Sequence, residues 1–163
     1  MHFQYSSSRI LHEDHMASLA MLSDVERLVL ARKTAPARDD NEFGRFAARL
    51  RGALEGEIPA HFDFEDDTLF PILIQSGEAD LVDLLAEEHV VLREVMRDVA
   101  ARAKDAAPAG FSAEGWAAFR GLCGEFIERL QSHVEKEERA LIPAMETVLT
   151  AEVDAEASAR HDM

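Results

Sequence analysis

The chain has 163 residues, of which 47% are hydrophobic and 30% charged, with eight glycines and five prolines. This length and composition predict one globular, helical domain and exclude a disordered or fibrous chain. The net charge of −15 argues against nucleic acid or an anionic membrane surface as a partner, because both repel an acidic protein.

The single cysteine, Cys123, cannot form an internal disulfide and is typical of a reducing compartment. The first residues lack the basic and then apolar pattern of a signal peptide. No apolar run approaches the roughly 20 residues that a membrane-spanning helix needs. We therefore expect a cytoplasmic protein with no membrane segment.

Apolar residues recur at steps of three and four in four long segments. This period predicts an all-α, up-down-up-down four-helix bundle. The expected helices cover about 8–32, 39–75, 78–104 and 112–149, with a loop at 107–110 and a polar, frayed tail at 151–163.

Several residues indicate where these helices begin, bend and end. Asp39, with Glu42 three residues later, predicts a capping box at the start of the second helix. Pro59 is expected to kink that helix, and Gly77 to follow its end. Ser112 is a candidate N-cap for the fourth helix.

The apolar stripe of the fourth helix contains a histidine and a glutamate. Leu130, His133, Glu137 and Leu141 are three, four and four residues apart, so they share one face of the helix. A buried carboxylate must be neutralised, paired or bound to a metal. The second helix repeats this spacing of histidine and glutamate on its own apolar side.

The two halves of the chain repeat each other. HFDFEDDTLFP and HVEKEERALIP are 72 residues apart, and LHEDHMASL and LAEEHVVLR are 74 residues apart. Two copies of a helical hairpin would pack about a pseudo-twofold axis and bring their polar side chains together. The repeat thus predicts a binuclear metal site with the ligands His15, His61, Glu65, His89, His133 and Glu137.

Each part of this pattern also has a simpler interpretation. A histidine four residues before a glutamate is commonly a solvated surface pair, and a lone histidine on an apolar face is commonly a hydrogen-bonded core residue. The metal hypothesis therefore depends on the repeat. His2, His12 and His161 have no repeat partner, and we leave them outside the site.

With these motifs, residues from about 10 to 150 resemble the hemerythrin-like, HHE cation-binding domains. The resemblance implies a four-helix bundle that holds two non-haem irons, with the six residues above on the family's ligand positions. Ferritin-like di-iron bundles place a glutamate three residues before a histidine, which is the opposite order.

The sequence departs from the oxygen-carrying members of that family, which the resemblance says have a second histidine one turn from His89. Leu85 and Arg93 stand at these positions, and neither can ligate a metal. The remaining set resembles members linked to iron–sulfur cluster repair and iron sensing. Because the oxygen carriers have their fourth-helix carboxylate five residues after the histidine, Glu138 is an alternative to Glu137.

The resemblance implies two iron ions with a bridging oxide or hydroxide, although manganese or zinc would suit the same donors. His15 and His61 would hold one ion and His89 and His133 the other, with both glutamates bridging. Because iron prefers about six ligands, an open position would remain for O2 or NO. We expect a sensing, scavenging or redox protein. The alternatives are a di-iron oxidase, peroxidase or NO reductase, and a metal-stabilised interaction bundle.

Overall fold

The computed structural model describes residues 2–106 and 109–161, and these form five helices and no strand. The first two residues of the loop predicted at 107–110 lie outside the described residues. The helices are α1 (6–30), α2 (41–75), α3 (Ala79–Ala106), α4 (113–148) and α5 (Ala151–His161).

Helices α1 to α4 form the predicted all-α bundle. Each long helix packs against the next along the chain, and α4 packs back onto α1. Arg120 and Trp116 of α4 hold the end of α1 by donating hydrogen bonds to the backbone oxygens of Leu30 and Arg32. Within the described ranges, no helix is both long and apolar enough to cross a membrane.

The start of α2 differs from the predicted capping box by one residue. The N-cap is Asp40, whose carboxylate accepts a hydrogen bond from the backbone N–H of Phe43 at 2.9 Å. Asp39 was the wrong choice, because α2 begins at Asn41 and not one residue earlier. The predicted N-cap Ser112 is confirmed, since its hydroxyl accepts from the N–H of Gly115 at 2.9 Å.

The frayed tail predicted after residue 150 is wrong, because Ala151–His161 is the helix α5 and packs against α1. The carboxylate of Asp154 accepts hydrogen bonds from the N–H groups of Ser6 and Ser7, at 2.9 and 2.8 Å. These groups open α1 and have no capping side chain of their own. The polar composition of this segment therefore conceals an N-cap supplied from the other end of the chain.

Three π-helical turns interrupt α2 and α4, at Ala53–Glu57, Glu65–Leu69 and Glu137–Leu141. Each is followed by an α-helical segment whose second residue is a proline. Proline cannot donate to the carbonyl four residues earlier and its ring clashes with it, so a wider turn accommodates the ring. The disturbance expected at Pro59 takes this form, and Glu65 and Glu137 each begin a π-turn.

The hydrophobic core is divided into two clusters with a polar layer between them. Along α1, Leu11 belongs to one cluster and Leu22 to the other, and His15 lies between them. The same sequence of apolar, polar and apolar residues occurs on the other three long helices. The buried polar residues of this layer are His15, His61, Glu65, His89, His133 and Glu137.

Candidate metal centre

The structure brings together all six residues that the repeat predicts as ligands. They form two groups that share both glutamates, and the ligand atoms within each group lie within 4.8 Å of one another. We call these the His15–His61 position and the His89–His133 position. The groups are His15, His61, Glu65 and Glu137, and Glu65, His89, His133 and Glu137.

The Nε2 atoms of the four histidines face the two carboxylates. Glu137 lies 2.9 Å from Nε2 of His15 and 3.0 Å from Nε2 of His133. Glu65 lies 3.1 Å from Nε2 of His89 and 3.5 Å from Nε2 of His61. Each glutamate thus contacts one histidine from each position, which is the arrangement that two bridging carboxylates require.

The other ring nitrogen of every histidine contacts a second carboxylate. The distances from Nδ1 are 3.1 Å for His61 and 2.8 Å for His89. They are 2.9 Å for His133 and 2.6 Å for His15. A carboxylate on Nδ1 fixes the tautomer and leaves Nε2 as the donor to a metal. In the order of the histidines above, these outer carboxylates are Asp14, Asp66, Glu88 and Glu138.

The outer carboxylates were not predicted, although the sequence carries a signal for them. Asp14 and Glu88 each precede a histidine of the site, and they are 74 residues apart. Asp66 and Glu138 each follow a glutamate of the site, and they are 72 residues apart. The repeat that relates the ligands therefore also relates their supports. Glu138 supports His15 from outside the cluster, whereas the buried carboxylate inside it is that of Glu137.

Arg93, the residue one turn beyond His89, belongs to this outer layer. Its guanidinium donates to Asp63 at 2.8 Å and to Asp66 at 3.2 Å. The neighbouring outer carboxylate, Glu88, pairs with Lys136 at 2.6 Å.

Aromatic rings enclose the imidazole of His89. The ring of Phe62 stacks on it with centroids 4.1 Å apart, and Phe70 lies nearly parallel to it at 5.5 Å. Phe62 also meets His133 edge to face at 5.6 Å. These contacts restrict ring rotation and keep water from the polar layer.

The charges and oxygens of the two buried carboxylates favour the binding of a cation. Burial, together with repulsion from Glu137, raises the pKa of Glu65 well above its ordinary value. Burial also raises the pKa of Glu137, but His133 and His15 outweigh this and lower it below its ordinary range. Among the residues that the structure describes, both oxygens of Glu65 and Oε1 of Glu137 are buried and form no hydrogen bond. Oxygens of this kind are satisfied when they coordinate a cation.

A surface cavity has one residue of the cluster in its wall. It has a volume of about 230 Å3, lies between α1 and α2, and has His61 and Asp14 in its wall. The side chain of His61 is 8% exposed, whereas those of His15, His89 and His133 are each 1% exposed. The His15–His61 position is therefore the one nearest to solvent.

Comparison with protein families identifies the family to which the chain belongs. Residues 6–145 match the family model for the hemerythrin HHE cation-binding domain. Searches of curated proteins and of solved structures gave no match. The match covers most of the chain, including the six clustered residues and the four outer carboxylates. The chain therefore belongs to the hemerythrin family of HHE cation-binding domains.

Proposed function

We propose that this protein is a non-haem di-iron protein that binds or reacts with O2 or NO in a sensing, scavenging or redox role. His15 and His61 hold one iron, and His89 and His133 hold the other. Glu65 and Glu137 bridge the two. The observation that carries the proposal is a set of three buried carboxylate oxygens that form no hydrogen bond within the described part of the chain and lie among four inward-facing Nε2 atoms.

The donor set supports iron as the cation. Imidazole nitrogens and carboxylate oxygens suit ferrous and ferric ions, and no cysteine lies in either group. Two ferrous ions bring four positive charges against two glutamates, which removes the cost of burying both carboxylates. The same charge offsets the burial and the repulsion from Glu137 that together raise the pKa of Glu65.

Ligand counting supports a small additional ligand. Each position offers four protein donors, and iron prefers about six, so the bound metal supplies open coordination positions for a diatomic gas. The surrounding side chains leave little room for a larger substrate, since all six donor residues are buried. The cavity beside His61 brings solvent up to one histidine of the site.

The protein's own side chains orient the histidines and enclose the site. Asp14, Asp66, Glu88 and Glu138 hold the Nδ1 protons of the four histidines, which directs their Nε2 lone pairs inward. Phe62 and Phe70 keep the ring of His89 in place and exclude water.

The proposal is tested by elemental analysis followed by gas titration. We expect close to two irons per chain after anaerobic reconstitution with ferrous iron, and a change in the visible spectrum on adding O2 or NO. The variant Glu65→Ala/Glu137→Ala should bind less iron, while Glu135→Ala, at an exposed neighbouring position, should behave as the parent. Two irons without a response to either gas would leave a metal-stabilised bundle and refute the gas chemistry.

A further inference from the structure

The two metal positions have the same donors but differ in the charges behind them. At the His89–His133 position, both outer carboxylates form salt bridges with permanently charged side chains. Asp66 pairs with Arg93 at 3.2 Å, and Glu88 pairs with Lys136 at 2.6 Å. Two fixed positive charges therefore stand directly behind the histidines of this position.

The outer carboxylates of the His15–His61 position have histidine partners instead. Glu138 lies 3.0 Å from Nδ1 of His12, and Asp14 lies 3.6 Å from Nε2 of His161. Neither carboxylate pairs with a lysine or arginine anywhere in the part of the chain that the structure describes. The pseudo-twofold symmetry of the ligands is thus broken in the layer behind them.

This difference acts on any bound cation. A lysine or arginine repels the cation and withdraws negative charge from the outer carboxylate that it binds. The histidine that contacts this carboxylate then becomes a weaker donor to the metal. Because the outer layer is only partly exposed, screening by salt reduces the effect without removing it. Within the described residues, the outer carboxylates of the His15–His61 position pair with histidines and with no such permanently charged side chain.

Access favours the same position. The cavity between α1 and α2 is lined by His61 and by the acidic residues Asp14 and Glu57. These acidic residues attract a hydrated cation into the cavity, where His61 is the first histidine of the site that it meets. None of the other three histidines of the site has more than 1% of its side chain exposed.

We propose that the His15–His61 position is the high-affinity position, which fills first with a divalent cation, and that Arg93 and Lys136 make the His89–His133 position the weaker, second one. This inference rests on the two-metal part of the proposed function and is independent of any reaction with gas.

The experiment is a Co2+ titration of the metal-free, full-length chain, followed by visible absorption and by calorimetry. We expect two steps of one equivalent each, separated by at least about tenfold in dissociation constant. His61→Ala should abolish the tighter step. His89→Ala should abolish the weaker step and keep the tighter one, and circular dichroism of both variants checks that the helices remain.

Two variants with altered charge, which should change metal affinity in opposite directions, test whether the side chains paired with the outer carboxylates cause the difference. Arg93→Gln/Lys136→Gln should lower the dissociation constant of the weaker step by about threefold to tenfold and so bring the two dissociation constants closer together. His12→Lys places a fixed charge beside Glu138 and should weaken the tighter step by a similar factor. The matched control is Arg97→Gln/Arg129→Gln, since these exposed arginines donate instead to the backbone oxygen of Arg93 and to the carboxylate of Glu125.

Equal affinities, loss of the weaker step in His61→Ala, or weaker binding in Arg93→Gln/Lys136→Gln would each overturn the inference. A parent protein that takes up no Co2+ and no iron would refute the metal site itself. The parent protein could bind Co2+ in two ordered steps while its reduced iron form shows no spectral change with O2 or NO. This result would support the inference and refute only the proposed gas chemistry.

Discussion

Oε1 of Glu138 lies 2.6 Å from Nδ1 of His15, while Nε2 of the same imidazole lies 2.9 Å from Glu137. One histidine therefore joins a carboxylate of the outer layer to a carboxylate inside the cluster. The outer contact fixes which nitrogen can serve as a metal donor.

Replacing Glu138 by alanine should weaken binding of a divalent cation by about 10- to 100-fold, because supports of this kind typically contribute that much. Calorimetric titration with Zn2+ measures the change. Glu135→Ala is the control, since Glu135 is an exposed carboxylate on the same helix. Equal affinities in the two variants would show that the contact between Glu138 and His15 has no part in binding.

Replacing Asp154 by alanine should lower the free energy of unfolding by about 1–2 kcal/mol, because two N–H groups at the start of α1 lose their acceptor. For a chain of this size the melting temperature should fall by roughly 3–6 °C. Calorimetry of the metal-free protein measures both quantities. Glu156→Ala, exposed on the same helix, should melt as the parent does; if both variants melt alike, α5 is not the cap of α1.

Asp40 predicts a pH dependence far from the metal centre. Its hydrogen bond from the N–H of Phe43 and its salt bridge with Arg32 lower its pKa. A carboxylate whose pKa is lower in the folded chain stabilises the fold above its unfolded pKa, and this stability is lost as pH falls through the folded pKa. Asp40→Asn should therefore reduce the melting temperature more at pH 7 than at pH 3.

The neighbouring Asp39 supplies the control for that experiment. It is exposed and does not cap α2, so Asp39→Asn should leave the melting temperature nearly unchanged at both pH values. A larger effect from Asp39→Asn than from Asp40→Asn would contradict the assignment of the cap.

Cys123 should be chemically inert in the folded protein. It is fully buried, and burial raises the pKa of its thiol to about 12, so almost no reactive thiolate is present near neutral pH. A colorimetric thiol reagent at pH 8 should react with less than about a tenth of the chains until denaturant is added. Rapid stoichiometric labelling of the native protein would show that the core around Cys123 opens readily.

The inner residues of the site could be predicted because two independent patterns select them. The helical period places His133 and Glu137 on a core face, and the repeat finds their counterparts in the first half of the chain. The outer carboxylates satisfy only the second pattern. Asp66 and Glu138 directly follow a buried glutamate, so they lie about 100° around the helix, where the period predicts an exposed residue.

Contacts that join distant parts of the chain were beyond prediction for a different reason. Asp154 and Ser6 are 148 residues apart, and their hydrogen bond depends on how α5 packs against the bundle. Nothing local distinguishes this cap from a solvated tail. The choice of Asp40 over Asp39 likewise depends on a boundary of one residue, which propensities do not resolve.

The shared glutamates have a consequence for the integrity of the domain. A cation in the His15–His61 position would tie three residues of the first hairpin to Glu137 of the second, which bridges segments more than 70 positions apart. Such a bond acts as a reversible cross-link that closes a long loop. Closing a long loop restricts the unfolded chain far more than a local contact does. The stability of the folded protein would then rise with the concentration of the metal.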